Sequence, residues 1–165
     1  MGIKVVKFGG SSLADANQFR KVADIVLADP DRRFVVASAP GKRFSDDIKV
    51  TDMLYACYAK AAEGGDFAAE FAAIEERYNG IISELGLDIS LEKEFTKIKN
   101  AFEHRAGRDY AASRGEYLNS IVLAASSSLI LLTLQDTSSL LKMVYSTLKR
   151  QFLFSVQDLQ SLSTL

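Results

Sequence analysis

Ile3-Lys4-Val5-Val6-Lys7-Phe8-Gly9-Gly10-Ser11-Ser12 is the stretch on which the fold turns. Its first six residues are rich in β-branched and aromatic side chains, and two glycines then break the run. A helical pattern follows, with Phe19, Val22, Ala23, Val26 and Leu27 on one stripe, and it stops around Asp29-Pro30-Asp31. Phe34-Val35-Val36-Ala37-Ser38 comes next, a continuous apolar run of the kind that parallel sheets bury on both faces. Residues 3–38 therefore read as a βαβ unit, with parallel strands and a right-handed crossover.

Outward from this unit, Ala39-Pro40-Gly41-Lys42-Arg43-Phe44-Ser45-Asp46-Asp47 is a polar, turn-rich loop. It lies at the carboxyl end of a strand, where open α/β sheets bind ligands. Thr51-Asp52 is expected to cap a helix carrying Leu54, Tyr55 and Tyr58. Phe67, Phe71, Ile74, Tyr78, Ile81 and Leu85 recur at three- and four-residue steps over 66–85, and packing explains that stripe, with Glu75-Glu76-Arg77 placed off it. Two further helices are expected near Leu91–Glu103 and Gly115–Ala125.

Composition limits the functions open to the chain. Its 165 residues are 48% hydrophobic and 25% charged, and the net charge is -1. Such a balance fits a globular domain and supplies no overall basic field for nucleic acid or an anionic membrane. With one cysteine, Cys57, no internal disulfide is possible, and the cytoplasm is the expected location. A break in composition falls near Ala125: Ser126–Leu165 has no Ala, Glu, Gly or Pro, and half of it is Ser or Leu. Two parts are expected, 1–125 and a tail at 126–165.

Glycines between a strand and a helix let backbone N–H groups approach an anion, while the helix start adds partial positive charge. Lys7 places a full charge beside them, the combination phosphoryl transfer requires. The same residues also fit a tight strand-to-helix turn with a surface lysine, and the turn alone does not choose between the two readings. Neither G-x-x-x-x-G-K-[ST] nor G-x-G-x-x-G is present, which argues against P-loop nucleotidases and classical dinucleotide binders. His104, between Glu103 and Arg105, reads as a solvated surface residue, and Cys57 as an inert packed thiol. Lys42-Arg43 fits either steering of an anion or solvation of the loop.

Four segments in order, K-F-G-G-S-S at Lys7–Ser12, S-A-P-G at Ser38–Gly41, V-T-D-M-L at Val50–Leu54 and R-G-E-Y-L-N-S at Arg114–Ser120, resemble those of aspartokinases. The resemblance covers about residues 1–125. It implies an α/β fold, a partial amino-acid kinase fold with a mostly parallel sheet between helical layers, helix-rich and incomplete. The implied activity is transfer of the ATP γ-phosphoryl group to the side-chain carboxylate of L-aspartate, the first step toward lysine, threonine and methionine. ATP and Mg2+ are the implied cofactors, and full-length relatives are implied to be homo-oligomers.

Residue by residue, the resemblance makes Lys7 the group that contacts the transferring phosphoryl. Phe8, Gly9, Gly10 and Ser11 join it in binding nucleotide phosphate, and Ser38 lines the same cleft. Thr51 would hydrogen-bond the substrate, and Glu116 would pair with the α-ammonium of aspartate. A buried carboxylate facing an ammonium suits an amino-acid anchor, although Glu116 read without the motif is a solvated carboxylate at a helix start. No metal ligand is assigned. The downstream family segments are absent after Ala125, so the chain is expected to be an inactive fragment.

The codons available to Leu129–Gln135, read one frame over, permit Asp-Phe-Ile-Asp-Ala-Ala, the stretch the resemblance implies there. A frameshifted tail is therefore expected from about Ser126. A divergent tail whose Leu140–Leu148 segment packs as a helix is the alternative. Two functional alternatives also stand: another amino-acid kinase with a different acceptor, and a non-enzymatic helical assembly module.

Overall fold

The structure, a computed structural model, describes residues 2–127. Strand β1 (Lys4–Phe8) runs into a 3-10 turn at Gly10–Leu13, then helix α1 (Ala16–Leu27) and strand β2 (Arg32–Ala37). Helices α2 (Val50–Ala62), α3 (Ala68–Leu85), α4 (Glu92–Glu103) and α5 (Arg108–Ser127) follow. β1 and β2 pair in parallel, with Lys7 opposite Val36 and Phe8 opposite Ala37, as the βαβ reading expected. The remainder of the tail, from Ser128, lies outside the described residues, and so does its Leu140–Leu148 segment.

Local chemistry accounts for the element ends. Asp15 caps α1 by accepting from the Gln18 N–H at 2.9 Å, and Gly86 closes α3 in the left-handed conformation that only glycine adopts freely. At α2 the cap position is Lys49 rather than Thr51, and no side chain caps it. Thr51 therefore sits inside the first turn, with its hydroxyl unused by the helix. α5 starts seven residues earlier than its apolar pattern suggested, and it continues past Ala125 to Ser127.

The core lies among the helices. Phe71, Phe95, Phe102 and Tyr78 are fully buried, and Phe71 meets Phe67, Phe95 and Phe102 edge to face at ring separations of 6.2 to 6.4 Å. α2 packs on α3, α4 and α5, while α1 packs on α3, α5 and the sheet. Only one face of the two strands is covered. Phe8, Val35 and Ala37 point to the core, whereas Val5 is 67% and Val36 48% exposed. Burial on both faces of β2, expected from its apolar run, is thus not found among the described residues, because no described element packs over Val5 and Val36.

Arg77 departs most from expectation. It is 6% exposed, although its charged neighbours suggested an outward position. Its spacing explains the burial: Ile74, Arg77, Tyr78 and Ile81 fall at i, i+3, i+4 and i+7 on the inward face of α3.

Candidate functional site

Glycines bring the four motif segments together. The Gly41 N–H donates to Gly10 O at 2.8 Å, so the two loops that follow β1 and β2 touch backbone to backbone. A Cβ on Gly41 would lie 2.6 Å from Gly10 C and 2.8 Å from Ser11 N, and one on Gly10 would lie 2.9 Å from Ala39 O. Neither position tolerates a side chain without moving backbone. Gly115 repeats the device from α5, where a Cβ would meet that of Ala39 at 2.6 Å, with Leu54 and Val50 just beyond. Hydrogen bonds complete the assembly. Val50 N–H donates to Pro40 O at 3.1 Å, Asn119 Nδ2 to Ser38 O at 2.6 Å, and the buried Tyr78 hydroxyl to Gly115 O at 2.8 Å.

This junction forms one wall of a cleft of about 450 Å³ lined by Gly10, Ser11, Ser38, Pro40, Thr51 and Glu116, together with Lys42 and Lys49. Five residues expected from the sequence, Gly10, Ser11, Ser38, Thr51 and Glu116, thus share one cavity although they come from four separated segments. Lys7, Phe8 and Gly9 are not among its lining residues. Phe8 packs against the core instead. Lys7 is exposed on the uncovered face of the sheet, and it enters none of the ion pairs among the described residues. Gly9 stands at the start of the 3-10 turn with open space where a Cβ would project.

Glu116 differs from the buried carboxylate envisaged for an ammonium anchor. It lies in the third turn of α5 and is exposed at the cleft, since nothing among the described residues covers it. Lys49 is a cleft residue the sequence reading missed. Its position just ahead of Thr51 was the available signal. Lys42 Nζ donates to Ser45 O at 3.0 Å, which folds the loop back on itself.

Beneath the loop lies a buried ionic group. Asp47 accepts from Arg77 Nη1 at 2.7 Å, from Arg43 Nε and Nη2 at 2.8 Å, and from the Arg43 N–H at 2.9 Å. These charged donors hold its carboxyl far below the usual carboxylate range, with the Arg43 side-chain bonds the largest cause. Two other groups behave as their burial dictates. The Cys57 thiol is pushed up to about 12, mainly by desolvation, which agrees with an inert packed cysteine. His104 is exposed, its Nδ1 2.7 Å from Asn100 O, which agrees with a surface role.

Comparison with known proteins places this arrangement. The model of the amino acid kinase family matches residues 2–152. The chain belongs to that family. Aspartokinase 3 of Bacillus subtilis is 49% identical over 89 residues, which span 54% of this chain and 20% of that protein. Chloroplastic aspartokinase 1 of Arabidopsis thaliana is 30% identical over 131 residues, or 73% of this chain and 22% of that one. The match thus spans about a fifth of these relatives' length.

Among solved structures, the aspartate kinase of Clostridium acetobutylicum is 48% identical, with a TM-score of 0.75 over 78% of this chain and 30% of that chain. Aspartokinase III of E. coli, solved with aspartate and ADP, is 26% identical, with a TM-score of 0.58 over 75% of this chain and 28% of its own. The resemblance to aspartokinases and the partial amino-acid kinase fold expected from the four motifs are borne out.

Proposed function

We propose that residues 2–127 carry the phosphate side and the amino-group side of an aspartate kinase site. The observation that carries this reading is the single cleft shared by Gly10, Ser11, Ser38, Thr51 and Glu116. In the reaction, a side-chain carboxylate oxygen of L-aspartate attacks the γ-phosphorus of ATP, the bond to ADP breaks, and an acyl phosphate forms. Amides of the Gly9-Gly10 turn neutralise phosphate oxygens and the hydroxyls of Ser11 and Ser38 line the path, while Lys7, which leaves the end of β1 on its open face, adds its ammonium by reaching around the turn. Glu116 pairs with the α-ammonium, and Thr51 donates to the substrate.

Among the described residues no three His, Cys, Asp or Glu side chains gather where a metal ion could be held, and the cleft's one carboxylate is committed to the substrate. Mg2+ at phosphoryl-transfer sites is held largely by phosphate oxygens and water with one or two carboxylates, so it would enter with ATP rather than on a cage built from these residues. No described helix is long and apolar enough to cross a membrane.

Completing the in-line geometry takes a nucleotide wall and a partner for the substrate carboxylate, and neither is supplied by the described residues, so this chain alone is expected to bind without turnover. The test titrates the 165-residue chain with L-aspartate, L-glutamate and ATP, and follows ADP release. L-Aspartate should bind ahead of L-glutamate, and Glu116→Gln should weaken it about tenfold while ATP binding holds. Unchanged aspartate affinity in Glu116→Gln overturns the anchor, preference for another acceptor overturns the substrate, and measurable turnover overturns the inactivity. The tail from Ser126 we read as out of the family's frame. Resequencing its DNA decides: a single inserted or deleted base supports that reading, and an intact frame overturns it.

A further inference from the structure

The Arg77 side chain is 4% exposed and ends between the two loops of the cleft. Its Nη1 donates to Asp47 Oδ2 at 2.7 Å, and its Nη2 donates to Gly41 O at 2.6 Å and Ala14 O at 3.1 Å. Ala14 closes the 3-10 turn that starts at Gly10, and Gly41 is the residue whose backbone touches Gly10. One planar group therefore grips the backbone on both sides of the glycine contact. A guanidinium is a rigid fork, so donors fixed on two carbonyls also fix the distance between them. Asp47 balances the buried charge and, through Arg43, draws residues 43–47 of the same loop onto the same cation.

We propose that Arg77 is a positioning residue for polyphosphate: it sets the spacing between the Gly9-Gly10 turn and the Gly41 loop. A ligand that reaches across both loops then meets the Gly9-Gly10 turn and Lys42 already in place, the Gly41 and Arg43 amides being held by Gly10 O and Asp47. This inference rests on the phosphate-binding reading proposed above. It separates two ligands. Tripolyphosphate presents oxygens to both loops at once and so depends on their spacing, whereas inorganic phosphate can be held by the Gly9-Gly10 turn alone.

The test measures both anions on the full 165-residue chain by amide chemical shifts, in wild type, Arg77→Lys and Arg77→Met. Arg77→Lys retains the charge facing Asp47 but lacks the fork, so it stays informative if Arg77→Met fails to fold. In folded variants tripolyphosphate should weaken about tenfold while inorganic phosphate stays within about twofold, with Arg77→Lys losing less than Arg77→Met. A merely structural role would lower both anions together, in step with the folded fraction, and that result overturns the proposal, as does unchanged tripolyphosphate affinity. Wild type that binds neither anion overturns the phosphate reading itself, and this inference falls with it.

Discussion

Around Gly10 and Gly41 the packing surface is backbone, and at Gly115 it is the side chains of Ala39, Leu54 and Val50, with contacts that leave no room for a single methyl group. Between α2, α3, α4 and α5 the space is filled by ring edges, with Phe71 at the centre. The glycine corner is held by close approach and a buried ionic clamp, and the aromatic body by apolar area. Close approach gives geometry at little gain in stability, whereas ring burial gives stability and tolerates small shifts. The two regions should therefore fail in different ways when the same kind of change is made in each.

The largest effect belongs to the aromatic body. Phe71→Ala removes a fully buried ring from three edge-to-face contacts and should destabilise by about 3–5 kcal/mol, measured by urea unfolding. A loss under about 1 kcal/mol would mean that the cluster contributes no more than an exposed patch. Next comes Gly41→Ala, which adds one methyl group 2.6 Å from Gly10 C. Backbone cannot swing aside as a side-chain end does, so about 1–3 kcal/mol should be lost. Because the moved backbone borders the cleft, this variant should also lose tripolyphosphate binding. Full binding in Gly41→Ala would break the distinction between the regions.

How far each region could be read from the sequence follows from the same difference. The aromatic stripe was legible because ring burial repeats with the helical period, and Phe67, Phe71, Ile74, Tyr78 and Ile81 all pack as that period requires. The glycine segments were legible as motifs, but their mutual contact was not, since closeness between Gly10 and Gly41 belongs to tertiary structure. Arg77 was misplaced because its charge outweighed its position, although it sits three residues after Ile74 and four before Ile81 on the buried stripe. A buried charge needs a partner, and Asp47 lies thirty residues away, beyond any periodic signal. Lys7 was assigned with the glycine motif, and alternation along β1 places it on the open face with Val5, outside the described lining of the cleft.

Acidity sharpens the comparison because the clamp's own titrating group, Asp47, can be removed by one substitution, whereas Phe71→Ala removes none. The carboxyl of Asp47 is depressed in the folded state, so its contribution is fully present above its unfolded value of about 4 and is lost as pH falls below that value. Asp47→Asn lacks this group. The stability gap between wild type and Asp47→Asn should therefore be widest near neutral pH and should narrow steadily below about pH 4. Urea unfolding at several pH values checks this, and a gap that stays constant would mean the clamp acts by shape rather than charge. The Phe71→Ala deficit, lacking a titrating group, should not close in the same way.

The smallest effect has the opposite sign and isolates what glycine contributes. Gly80 lies within α3, in the aromatic body, with nothing within 4 Å of where a Cβ would stand. Glycine in a helix interior carries excess unfolded-state entropy, and alanine removes it without new contacts. Gly80→Ala should stabilise by about 0.5–1 kcal/mol in urea unfolding and leave tripolyphosphate affinity unchanged. The same substitution thus gains at Gly80 and loses at Gly41, because a methyl group meets solvent at one and backbone at the other. A loss at Gly80 comparable to that at Gly41 would show that close backbone approach is not what sets the corner apart.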